Sequence, residues 1–125
     1  MDRVIIQECV KNSPDVVFHP SEKLLDISGR SIPENPGILY SKIENWLTEY
    51  FVDNDDLNVR FRYDYINSGS SKCLFRLLRQ LSSFVLEGKN VNLLWLYEED
   101  DDTILELGKY LIDALDLPMV IKMIE

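Results

Sequence analysis

Between Leu57 and Ile66 the chain alternates Leu57, Val59, Phe61, Tyr63 and Tyr65 with Asn58, Arg60, Arg62 and Asp64, its strictest period-two pattern. Successive side chains of a strand point to opposite faces, so one face of this segment is buried and the other meets water or a partner. The next periodic segment is helical: Leu74, Leu77, Leu78, Leu81 and Val85 recur at three- and four-residue steps over Ser71 to Glu87, ending at Gly88. Asn67, Ser68, Gly69 and Ser70 join the two. A strand that runs through small polar residues into an amphipathic helix is one unit of a sheet with helical crossovers.

The flanking segments extend this pattern. Residues 1–14 read as a short extended arm ending at Ser13-Pro14. Asp15 to His19 and Lys23 to Ser28 form a predicted hairpin around Pro20-Ser21-Glu22. Asn35 as N-cap with Pro36 at the first helical position starts a helix that carries Leu39, Ile43, Trp46, Leu47 and Tyr50 inward to about Val52. Asn90 to Tyr97 is a further strand, Ile104 to Leu115 a third helix, and Leu117 to Ile124 a last strand that Pro118 suits to an edge. The expected order is β-β-α-β-α-β-α-β, an α/β mixed sheet in a single domain over 1–125. The polar alternate face of Leu57–Ile66 predicts helices mainly on one side.

At 125 residues the chain can bury a core without disulfides. Cys9 and Cys73 lack CxxC spacing and are expected as reduced thiols, with Cys73 packed as a small apolar side chain. No apolar run reaches the roughly 20 residues of a membrane span, and the start, Met-Asp-Arg-Val-Ile-Ile-Gln-Glu, lacks a signal-peptide layout, which places the chain in the cytoplasm. A formal net charge of −9 opposes binding to nucleic acid or anionic membranes and favours a basic protein surface.

Catalytic groups are scarce. His19 is the single histidine, and neither GxxxxGK[ST], GxGxxG nor Gly-x-Ser-x-Gly occurs. No metal site or cofactor is expected from this inventory; Glu98 to Asp102 lacks the calcium-loop pattern and reads as an acidic first turn complementing a helix dipole. The strand-to-helix turn is the exception. Helix N-termini favour anions, and Ser68, Ser70 and Ser71 bring hydroxyls to one, so a phosphate belongs there either as a ligand or as a covalent group on serine. Ser68 also suits a plain N-cap.

Several separated motifs resemble the SiaC family of regulatory phosphoproteins: Ser13-Pro14, Ile27-Ser28-Gly29-Arg30-Ser31-Ile32-Pro33-Glu34-Asn35, Trp46-Leu47, Tyr65-Ile66-Asn67-Ser68-Gly69-Ser70-Ser71-Lys72 and Trp95-Leu96-Tyr97-Glu98-Glu99-Asp100. Asn67-Ser68-Gly69 also resembles the phosphorylated turn of anti-sigma factor antagonists with the STAS fold. The resemblance implies a STAS-like, non-enzymatic protein of a partner-switching pathway. It further implies phosphorylation at Ser68 by a serine/threonine kinase, removal by a PP2C-type phosphatase, and activation of a diguanylate cyclase by the unphosphorylated form. In the family's best-known member the acceptor is a threonine in Asn-Thr-Ser-Ser; here Ser68 takes its place and Gly69 replaces the serine that follows. Asn67, Gly69, Ser70 and Ser71 are then the phosphosite turn, and Arg30, Pro33, Glu34 and Asn35 a bordering partner-binding loop. Two alternatives stay open: an anti-sigma antagonist with another target, and a small anion-binding domain or enzyme built on the Ser68 turn.

Overall fold

The computed structural model describes residues 3–7 and 12–124; Cys9 falls outside them. Six strands form one sheet in the spatial order β1-β2-β3-β4-β5-β6, which is also their order in the chain. They are β1 (Val4–Gln7), β2 (Asp15–His19), β3 (Leu24–Ser31), β4 (Asp56–Ile66), β5 (Asn90–Tyr97) and β6 (Met119–Met123). The first three pair antiparallel, with a 3-10 turn at Pro20–Glu22 between β2 and β3. From β3 to β6 all pairing is parallel. The parallel strands are joined by α1 (Pro36–Asp53), α2 (Ser68–Leu86) and α3 (Asp102–Leu115). Because each crossover moves one strand further in the same direction and keeps the right-handed sense, all three helices fall on one face.

Register builds the core beneath them. Leu25, Val59, Leu93 and Met119 lie side by side across β3 to β6, and Ile27, Phe61, Trp95 and Ile121 form the next row. Leu39, Ile43 and Leu47 of α1 and Leu74, Leu77, Leu78 and Leu81 of α2 close over these rows. Each fully buried Leu or Ile is worth about 1.5–3 kcal/mol relative to exposure. The opposite face is open and mixed: Arg60 reaches across to Asp26 through contacts of 3.2 and 2.8 Å, beside half-buried Leu94 and exposed Val120.

The structure amends the sequence reading in four places. The expected N-terminal arm contains β1, paired with β2. Helix α2 begins at Ser68, three residues before the start expected from its apolar stripe, so Asn67 rather than Ser68 is the N-cap. Trp46 is only partly buried, stacked on Tyr50 at 4.9 Å and against Phe18 at 4.7 Å, whereas Trp95 is fully enclosed. Tyr65, expected inside, is 52% exposed. The cause is a bulge: Gly29 pairs with Tyr63 and Arg30 with Tyr65, leaving Asp64 as an extra residue that reverses the alternation. Gly29 adopts φ 108° there, a conformation open to a residue without Cβ.

Candidate functional site

Parallel pairing brings the C-terminal ends of β3, β4 and β5 to one edge of the sheet, and the N-termini of all three helices start there. The Ser68 turn is the middle of the three. Asn67 accepts the Ser70 N–H on Oδ1 at 2.9 Å, and its carbonyl accepts the Ser71 N–H at 2.9 Å. The Asn67 N–H donates to the Ser31 carbonyl at 3.1 Å, which ties the start of α2 to the end of β3.

Burial separates the three hydroxyls that sequence alone leaves as candidates. Ser68 is exposed at the first helical position, Ser71 is half-buried, and Ser70 is fully buried. Only Ser68 therefore combines full access with a helix N-terminus, where the dipole favours negative charge. Gly69 lies against the start of α1: a Cβ there would sit 3.5 Å from Pro36 Cγ. The turn and the segment leading into α1 are thus neighbours. Within that segment Arg30, Glu34 and Asn35 are exposed and Pro33 is half-buried; the Asn35 side chain makes no capping hydrogen bond.

Charge around the turn is mixed. Exposed Lys72 stands four residues after Ser68, on the same helix face. Arg62 approaches Glu98 at 3.7 Å. The acidic run ends in a cap: Asp101 Oδ1 accepts the Ile104 N–H at 3.0 Å, and Asp102 lies in the first turn of α3. Among the described residues no three His, Cys, Asp or Glu side chains gather as metal ligands. Cys73 is a buried free thiol in the core, and His19 ends β2, remote in sequence and strand position from the turn. A groove of about 290 Å³ beside the turn runs between α2 and α3, lined by Ser71, Lys72, Phe75, Leu107, Tyr110 and Leu111.

Beneath the turn lies a feature that pattern reading missed. Ser31 Oγ, Tyr40 OH, Tyr63 OH and Ser70 Oγ are buried and linked: 2.9 Å between Ser31 and Tyr40, 2.8 Å between Tyr40 and Tyr63, and 3.1 Å from Ser31 to Ser70. The available signal was a tyrosine on the inner stripe of α1, whose hydroxyl must find a partner when buried.

Burial raises the pKa of both Tyr40 and Tyr63 above the ordinary 10.0, Tyr63 the more strongly. The folded protein therefore keeps these phenols protonated where the unfolded chain releases protons. Stability is expected to be unaffected below about pH 9. It falls as pH climbs through 10 towards the raised native values, by up to ~1.4 kcal/mol per unit for each phenol. Urea midpoints measured from pH 8 to 11 test this: Tyr63→Phe should give a shallower alkaline decline, and equal slopes in both proteins would refute it.

Residues 7–124 match the model of the family described as SiaC family regulatory phosphoprotein. An uncharacterized protein of Pseudomonas aeruginosa strain UCBPP-PA14 is 26% identical over 99 residues, covering 78% of this chain and 79% of its own length. The solved structure of apo-SiaC from Pseudomonas aeruginosa superposes with a TM-score of 0.84 at 24% identity, covering 98% of this chain and 99% of that one. The crystal structure of the diguanylate cyclase SiaD in complex with its activator SiaC, from the same organism, matches with a TM-score of 0.87 at 22% identity, over 97% of this chain and 99% of the matched one. At these identities the structural matches establish the shared α/β fold.

Proposed function

The chain belongs to the SiaC family of regulatory phosphoproteins, and on that premise we propose that it is a non-enzymatic cytoplasmic switch protein controlled by phosphorylation of Ser68. In its unphosphorylated form it docks on and activates a diguanylate cyclase. A serine/threonine kinase adds the phosphate, and a PP2C-type phosphatase restores the active form. The observation that carries this reading is the sorting of hydroxyls at the turn: Ser68 is exposed at the start of a 19-residue helix while Ser70 is buried. The likeness to a SiaC chain solved with the cyclase it activates supports the choice of target.

The chemistry is consistent with a switch. A phosphoserine brings about −1.5 to −2 charges. At the first position of α2 the dipole and Lys72 receive that charge, so the domain tolerates it. The docking surface we assign to Ser68, Asn67, Gly69, Ser71 and the neighbouring Arg30, Pro33, Glu34 and Asn35 does not, because a partner must desolvate the phosphate.

Incubation with the kinase of its own pathway and ATP, followed by intact-mass measurement, is expected to add a single phosphoryl group. Ser68→Ala should remain unmodified. Phosphate on the Ser68→Ala chain, or mapping of the group to another residue, would show the assignment to be wrong.

A further inference from the structure

We infer that Ser31, Tyr40, Tyr63 and Ser70 are positioning residues that hold the Ser68 turn in the geometry needed for phosphoryl transfer, an inference that rests on Ser68 being the acceptor. Their hydroxyls form one directed chain. Ser31 donates its proton to Ser70, so towards Tyr40 it acts as acceptor; Tyr40, having spent its proton on Ser31, accepts from Tyr63. The chain crosses four elements: Tyr63 on β4, Tyr40 on α1, Ser31 at the end of β3 and Ser70 in the first turn of α2. Every member is buried, at 0–3% exposure.

Ser31 grips the turn on both sides of Ser68. Its carbonyl holds the Asn67 N–H at 3.1 Å and its hydroxyl holds Ser70 Oγ at 3.1 Å, while Asn67 and Ser70 are themselves joined at 2.9 Å. Ser68 thus lies in a capped first turn of α2 that is anchored on both sides of it. The two tyrosines fix the Ser31 hydroxyl in turn, since each has just two rotatable side-chain bonds and a ring packed in the core. An apolar filling of the same volume would satisfy the core equally well, but removing one end of a buried hydroxyl chain costs its neighbour a hydrogen bond: without Ser70 Oγ the Ser31 O–H loses its acceptor, and without the Tyr63 OH Tyr40 loses the donor it accepts from. What the polar version supplies is a single turn geometry. In-line transfer to an oxygen depends on such positioning.

Full-length Tyr63→Phe and Ser70→Ala test the inference, with Val91→Ala as a core-weakening control placed at the opposite end of β5, where it pairs with Leu57. Two readouts are taken: amide hydrogen exchange at Asn67, Ser70 and Ser71, and kcat and KM for phosphorylation by the pathway kinase. Both network variants are expected to exchange at these amides about tenfold faster and to lower kcat about tenfold with KM unchanged, as loss of one buried hydrogen bond allows. Val91→Ala should leave turn exchange relative to global stability, and kcat, unaltered. Turn exchange and kcat within twofold of the unsubstituted chain in both network variants would overturn the positioning role. A missing phosphate on Ser68 in the unsubstituted chain would instead overturn the acceptor assignment, and the exchange data would still judge the grip on the turn.

Discussion

Ser68→Asp is expected to weaken binding to the diguanylate cyclase at least 100-fold while raising Tm by about 1–5 °C. The two halves of this expectation come from one position seen by two environments. Within the domain, residue 68 is the first residue of α2 and exposed, so a carboxylate meets the positive end of the helix and a lysine four residues on. Such placement is worth about 0.3–1 kcal/mol in favour of the fold. Across a docked surface the same carboxylate must lose its water without a dedicated counter-ion, a cost of several kcal/mol, and about 2.7 kcal/mol already amounts to 100-fold. Ser68→Asn separates charge from size, being nearly isosteric with Asp and neutral. It should retain binding within about tenfold. Titration calorimetry with purified cyclase and a thermal melt of each variant decide the matter. If Ser68→Asp binds as tightly as the unsubstituted chain, or if Ser68→Asn fails equally, charge at this position is not the switch.

How far the sequence carries this picture depends on what each residue needs from distant parts of the chain. The alternation from Leu57 to Tyr63 and the stripe from Leu74 to Val85 are local signals, and they fix the strand, the helix and the crossover order without help. Tyr65 needed information from β3: it faces out because a bulge opposite Gly29 and Arg30 inserts Asp64, and period-two reading assumes an unbroken ladder. The early start of α2 was hidden for a similar reason. Ser68, Gly69 and Ser70 are indifferent helix formers, and what places them in the helix is the Asn67 cap and the grip of Ser31 from another strand. Strand β1 is four residues long, with Val4 and Ile5 each 46% exposed, and its identity rests on pairing with β2 rather than on its own pattern. For the candidate site, the turn itself was legible as a run of small polar residues. The hydroxyl chain below it was not, because Ser31, Tyr40, Tyr63 and Ser70 are 39 residues apart at their extremes and share no motif.

Gly108→Ala is expected to destabilise the domain by about 2 kcal/mol, lowering Tm by roughly 5–10 °C for a chain of this length. A methyl group would ordinarily help at this position, since alanine in a helix interior is favoured over glycine by about 1 kcal/mol. Here a Cβ would lie 2.6 Å from both Cδ1 and Nε1 of the Trp95 indole. The indole has no room to retreat: it is fully buried, with Phe61 at 5.7 Å and Tyr63 at 5.8 Å between ring centres, and its Nε1–H donates to the Ile104 carbonyl at 3.0 Å. Either α3 lifts from the sheet or the indole tilts and gives up its hydrogen bond, at about 1 kcal/mol beyond the overpacking cost of about 1–3 kcal/mol. Trp95→Phe provides the internal test, because a smaller ring removes the obstructing atoms. In that background Gly108→Ala should be neutral or stabilising, so that a double-mutant cycle by urea denaturation gives a coupling of about 2 kcal/mol. Equal costs of Gly108→Ala in both backgrounds would mean that the close approach of α3 to Trp95 is not what requires glycine there.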